Sequence, residues 1–286
     1  YASSDKHFVQ RSDGYWTPIG DNQVLLDDEP TDRDVAVAQA AADPTRSHVI
    51  FVSESDVPGS PGLSGNIKDL VSQIADAQGV DISLKIETSQ GSALLDNAAI
   101  LAVAAGMPAE ATELHLFIDE TTQGGEGSAR TYAVSLVDEN RAAVAARFGS
   151  GTATLTLAAP DAVAYVKATC TSETPVEPLG THAVAEDGSA TFKTTHFSDF
   201  RLEAITDPVT VSFDANGGSG TMSSVVLDRG DSYTLPACDF NAPSDKQFKC
   251  WNIAGANYNP GDAVTISADT TVRAVWQGSS PIDPTQ

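Results

Sequence analysis

Hydrophobic and polar residues change rhythm several times along this chain, and each rhythm predicts an element. After a polar, irregular opening in which Tyr15 and Trp16 are the apolar anchors, QVLLDDEP reads as a short strand. Thr31 then stands as an N-cap with Asp34 three positions on, ahead of VAVAQAAA, and Pro44 ends that helix. HVIFVSES (48–55) is β-branched and predicts a strand, while the Gly/Pro-rich DVPGSPGLSG predicts a loop. From a cap at Ser64, the residues Ile67, Leu70, Val71 and Ile74 recur at i, i+3, i+4 and i+7, and Gly79 closes the helix. A single apolar stripe of this kind belongs to a helix lying on a sheet. VDISLKIETS alternates, with Ile82, Leu84 and Ile86 on one face. QGSALLD makes a turn and another strand, and Asp96 caps a third helix, NAAILAVAA, stopped by Gly106 and Pro108.

Beyond that helix the pattern is all β. ELHLFIDE alternates Leu114, Leu116 and Ile118, and RTYAVSLVD, TATLTLAA, VAYVKATC and ATFKTTHFSDFRLEAI follow between Gly-rich or charged turns. Such spacing predicts a sandwich or meander of antiparallel strands. A linker falls at TDP (206–208). After it come VTVSFDA, SSVVLD, QFKCWNIA, AVTIS and TTVRAVWQ, short and alternating, joined by NGG and PGD turns. Val209, Val211 and Phe213 share one face, as do Phe248, Cys250 and Trp276 or their neighbours. The expected organisation is an irregular N-terminal segment and strand (1–30), an α+β domain (31–206), a small β module (208–277) and a tail (278–286). The expected fold class is α+β: a β-rich N-terminal domain with a few helices packed on an antiparallel sheet, plus the small C-terminal module.

Charge narrows the range of partners. The chain carries 39 acidic and 16 basic residues, a net charge of −23 with a pI near 4.2. Phosphate backbones and anionic leaflets need a basic patch, and no Lys/Arg cluster occurs, so nucleic acid is excluded as the expected partner. The acidity is uneven: residues 1–207 hold 31 acidic and 12 basic residues, against 7 and 4 in residues 208–277. That shift fits two units with different surfaces. No apolar run approaches the roughly 18 residues of a membrane span, so no membrane insertion is expected. The chain opens on Tyr1 and carries no basic-then-apolar leader, as expected of a mature fragment or excised piece.

Three cysteines, Cys170, Cys238 and Cys250, form no CxxC and have no histidine near them in sequence, which argues against zinc. Cys238 and Cys250 stand twelve residues apart in the small module. A disulfide there is geometrically open and would contribute roughly 3 kcal/mol, with two buried free thiols as the alternative.

The C-terminal segment carries a resemblance. FDANGGSGTM, YTLPAC, FKCWNI, NPGD and ADTTVRAVWQ follow one another in that order. Together they resemble the Listeria–Bacteroides repeat, or internalin B-repeat family, whose members share V-x-F-x-A-N-G-G, Y-x-L-P, F-x-G-W, G-D and D-T-T-x-x-A-x-W. Cys250 departs from the pattern, standing where a glycine or other small residue usually precedes the tryptophan. The resemblance spans 208–277. It implies a β-grasp-like module of exported bacterial proteins that serves as spacer, stalk or adhesion unit, with no catalysis. Residues 31–206 are similar to modules that precede such repeats in large Gram-positive cell-wall proteins. IETSQGSALLDNAA, SGTATLTLAAP, VAYVKATC and GSATFKTTHFSDFRL carry that likeness, although AAPDAVAYVKATC replaces a longer tyrosine-rich strand.

No catalytic, cofactor-binding or metal-binding residue emerges. His7, His48, His115, His182 and His196 lie in no ligand spacing. His196 with Ser198 and Asp199 suggests a triad, but neighbours on a strand alternate faces and cannot converge. The densest carboxylate run, Asp27, Asp28, Glu29, Asp32 and Asp34, lacks the spacing and turn glycine of a calcium loop and suits a helix N-terminus. FDANGGSG joins strand to strand and is a hairpin turn, not a phosphate cradle. Trp251 and Trp276 read as core, with a sugar-stacking platform as the alternative. Lys85, a candidate for an isopeptide crosslink, reads as a solvated strand lysine. The expected function is therefore a monomeric, non-enzymatic extracellular module of a bacterial surface protein. The alternative is an adhesin domain binding a host glycan or extracellular-matrix protein, and a hydrolase ranks last.

Overall fold

A computed structural model describes the backbone of residues 7–10, 16–19, 23–27, 33–53, 66–121, 128–144 and 147–278; the side chains of residues 7–36, 39 and 53 lie outside the description. The chain divides into two compact units, residues 1–162 with 168–203 and residues 163–167 with 204–286.

Strands β1 (His7–Gln10) and β2 (Trp16–Ile19) pair antiparallel. β3 (Gln23–Asp27), α1 (Arg33–Ala42), β4 (Ser47–Ser53), α2 (Lys68–Asp76) and β5 (Ile82–Thr88) make two successive strand–helix–strand crossovers. A crossover returns the chain in the same direction, so β3, β4 and β5 run parallel. β6 (Gly91–Leu95) folds back against β5 and leads into α3 (Asn97–Gly106). Then come β7 (His115–Glu120), β8 (Ala129–Val137), β9 (Ala153–Ala158), β10 (Tyr165–Cys170), β11 (Glu177–Ala183), β12 (Ser189–Thr194) and β13 (Asp199–Ala204). They complete a six-stranded sheet, β12-β9-β6-β5-β4-β3, and a five-stranded sheet, β11-β10-β13-β8-β7. Phe192 of β12 meets Phe200 of β13 edge-on at 5.6 Å, and the Tyr132 hydroxyl on β8 donates to Ala158 O on β9 at 2.9 Å.

This architecture corrects the expected α+β class. Among the described residues, strand makes up 49% and helix 11%. Among the described residues the helices are the three short segments with cap and stripe signals, and the alternating segments become strand. The sheet carrying the helical crossovers is also mixed, not antiparallel, because the helices themselves are the parallel connections.

Local signals fix the ends of the helices. Asp96 caps α3, accepting the Ala99 N–H at 2.8 Å. Its second oxygen accepts the Thr152 N–H at 2.9 Å and the Thr152 hydroxyl at 2.8 Å, which ties the helix to the start of β9. Gly151 lies so close beneath α3 that a Cβ there would come within 2.2 Å of Ala99 N. α2 buries Leu70, Val71 and Ile74, as its stripe predicts, but starts later than expected. The anticipated cap, Ser64, lies outside the described residues, as does Thr31. Asn66 Oδ1 takes the capping part, accepting Lys68 N–H at 3.0 Å and Leu114 N–H at 3.1 Å.

The second unit holds β14 (Pro208–Asp214), β15 (Val225–Asp228), β16 (Ser232–Thr234), β17 (Lys246–Ile253), β18 (Ala256–Tyr258), β19 (Ala263–Thr265) and β20 (Thr270–Gly278). Its main sheet has the order β15-β14-β20-β17-β18, with β14 and β20 parallel, and β16 pairs with β19. Residues 208–278 contain no helix. The core gathers Val209, Val211, Leu235, Ile266, Val272 and Ala274 around the fully buried Trp251. The Trp251 indole N–H donates to Pro236 O at 2.9 Å. Strict alternation would put Phe248 and Trp251 on opposite faces. A register shift between Phe248 and Cys250 reverses the parity, and the two rings meet at 4.9 Å.

Candidate functional site

Two strands of the five- and six-stranded sheets each place a chemically active residue at the inward end of their alternation. On β10, Val166, Ala168 and Cys170 face inward, and Cys170 is fully buried. On β12, Ala190, Phe192 and Thr194 face inward, and His196 continues the phase just past the strand, with 3% exposure. Thr194 helps to set the histidine backbone, its hydroxyl donating to His196 O at 2.8 Å. Between β10 and β11 a short loop containing the cis Thr174–Pro175 peptide carries Glu173, and Glu177 opens β11.

These residues converge on one atom. His196 Nε2 lies 3.5 Å from Cys170 Sγ, 3.5 Å from Glu177 Oε2 and 3.6 Å from Glu173 Oε1. Donor atoms of Cys170, Glu177 and His196 all fall within 4.8 Å of one another. The Arg147 guanidinium donates to Glu173 Oε1 at 2.5 Å, and Arg147 and His196 also form an isolated β-bridge. The far side of the imidazole differs, since Nδ1 is buried and has no hydrogen-bond partner. The thiol and imidazole are walled in while the glutamates reach solvent, with Glu177 39% exposed.

This geometry does not build a nucleophile. A cysteine–histidine pair works when one ring nitrogen takes the thiol proton and a third group orients the ring through the other. Here thiol and carboxylates all face Nε2, Nδ1 is unaccompanied, and Cys170 offers no surface to a substrate. What the cluster does provide is a convergent set of sulfur, nitrogen and oxygen donors. The sequence shows no histidine near a cysteine because proximity there is separation along the chain, and residues 170 and 196 meet only through folding. The usable signal is phase: Cys170 is the last inward residue of β10, and His196 continues the inward alternation of β12 two residues past its end.

Other candidates fall elsewhere. Ser198 Oγ contacts Ser172 Oγ, not the imidazole. The ring nitrogens of His48 and His182 meet the backbone carbonyls of Asp43 and Leu179, each at 2.8 Å, and His115 meets Glu113 at 2.9 Å. Cys238 and Cys250 are free thiols, not a disulfide, and burial pushes the Cys238 thiol up. Lys85 pairs with Glu87 at 3.3 Å and lies 5.9 Å from the Phe51 ring centre. Trp251 is core, and Trp276 packs against the same core with its N–H on Ala215 O at 2.9 Å. His7 and the acidic run Asp27, Asp28, Glu29, Asp32 and Asp34 lie outside the residues whose side chains are described. No protein-family model matches the chain, and no curated protein matches it.

Proposed function

We propose that this chain is a non-enzymatic extracellular module of a bacterial cell-surface protein, closed by a repeat of the Listeria–Bacteroides type, that spaces or displays what it is joined to. The observation carrying this reading is that the signature residues of the repeat stand where the C-terminal unit needs those residue types. Asn216 takes a positive φ of 47° in the turn after β14 and donates through Nδ2 to Ala274 O at 2.8 Å. Gly218 has no room for a side chain: a Cβ would come within 2.6 Å of both Asn241 O and Trp276 Cζ2. Trp276, the closing tryptophan of the motif, returns its indole N–H to Ala215 O. Trp251, the other signature tryptophan, is the centre of the core.

The surface supports spacing over glycan stacking. Sugar platforms use exposed aromatic rings, whereas the large exposed apolar residues among those described are Leu101 and Val176. The high negative charge supports solubility and discourages association with like-charged surfaces. The test is an array of mucin glycans and host matrix proteins, probed with and without calcium. The spacer reading predicts no saturable binding. Reproducible saturation by one ligand class would replace it with the adhesin.

A further inference from the structure

We propose that Cys170, His196 and Glu177 form a binding site for a zinc-class divalent metal ion, with Glu173 at its rim. Three features carry this inference. The first is chemical: thiolate, imidazole and carboxylate together are a donor set that suits zinc, which accepts all three ligand types. The second is metric. Zinc bonds of about 2.0–2.3 Å in a tetrahedron place neighbouring donors about 3.4–3.6 Å apart. His196 Nε2 stands 3.5 Å from Cys170 Sγ and 3.5 Å from Glu177 Oε2. An N–H···O hydrogen bond would bring nitrogen and carboxylate to about 2.9 Å, so the observed carboxylate separations fit a shared cation better than a direct bond. The third is convergence. One Nε2–H can serve one acceptor, yet three electron-rich groups surround that nitrogen, and a cation between them would satisfy all three at once.

Access and strength follow from the same geometry. The half-exposed carboxylates form the approach and the buried thiol and imidazole the floor, so an ion enters past Glu177 and Glu173. Binding expels the Cys170 thiol proton to solvent and leaves the remaining imidazole proton on Nδ1. Most metal-bound histidines donate that proton to an outer acceptor, and here the protein supplies none. Affinity is therefore expected to be about 10–100-fold weaker than in a centre that has such a partner. Arg147 neutralises Glu173, which leaves Glu177 as the ligating carboxylate. The inference does not rest on the surface-module reading, since a spacer or an adhesin could equally hold this ion.

The experiment is a cobalt titration of the chelator-stripped chain, followed by zinc competition. One equivalent of Co²⁺ is expected to give a thiolate-to-cobalt charge-transfer band in the near-ultraviolet, which Zn²⁺ abolishes. Cys170→Ser removes the band, while the Cys238→Ser/Cys250→Ser double variant keeps it. Glu177→Gln alters a half-exposed side chain and so preserves the fold; it is expected to weaken cobalt binding by at least about tenfold. Absence of the band in the wild-type chain overturns the site, as does its survival in Cys170→Ser. Unchanged affinity in Glu177→Gln removes the carboxylate from the ligand set and overturns the proposal as stated.

Discussion

One carboxylate, Asp96, holds both the first turn of α3 and the start of β9. Three N–H and O–H donors from Ala99 and Thr152 share its two oxygens. Asp96→Ala removes an N-cap and strands two partly buried donors, so it should cost roughly 2–4 kcal/mol in urea unfolding. A loss no greater than that of an exposed Asp→Ala change would contradict the account. The cap itself is legible in the sequence, because Asp precedes an apolar helical run. Its second partner is not, since Thr152 lies beyond α3 and two further strands. The same distance hides the Cys170–His196 meeting, although each residue's inward phase can be read from its own strand.

At the scale of elements, alternation identifies the strands and misleads at one point. Leu114, Leu116 and Ile118 are all fully buried, as period-two spacing predicts. On β17 the same rule fails at Lys249, where the bulge puts Phe248 and Trp251 against each other. Deletion of Lys249 removes the extra residue and leaves Phe248 and Trp251 two positions apart, so plain alternation keeps both rings on the core face. The expected result is retention of the near-ultraviolet circular dichroism contributed by the buried tryptophan. A deletion variant that loses this signal would show that the bulge does more than reverse the parity of the strand. The helix stripes are equally legible, but a stripe cannot reveal that its helix is a crossover. That is why parallel pairing of β3, β4 and β5 is hidden in the sequence while the antiparallel hairpins are not.

For the whole molecule, charge matters most. A net charge of −23 repels itself in the folded state, and added salt screens that repulsion. Raising ionic strength from about 0.01 to 0.15 M shortens the Debye length from about 30 to 8 Å and should raise the thermal midpoint. A falling midpoint would mean that attractive pairs outweigh the repulsion. Specific carboxylates act in acid. The Arg229 guanidinium holds Asp207 below the ordinary carboxylate range, the Asn216 N–H and then Arg273 do so for Asp214, and the Ser189 hydroxyl and N–H for Asp187. A lowered folded pKa gives stabilisation that is complete above the unfolded value near ~3.9 and is lost as pH falls through the folded value. The urea midpoint should therefore drop between about pH 5 and pH 3. An Asp207→Asn/Asp214→Asn variant should show a shallower drop, and an identical drop would assign the acid loss to other groups.

Composition and turn signals make a β-rich chain in two units legible. The proportion of strand is harder to read, because capped, striped segments stand out more clearly than weakly alternating ones such as EPLGTHA, which forms β11. The reading of this chain as a surface module is tested most directly by antibody labelling of intact, unpermeabilised cells of its source organism, with permeabilised cells as control. The account predicts labelling of intact cells that brief external proteolysis removes. Labelling that appears only after permeabilisation would place the chain inside the cell and contradict it.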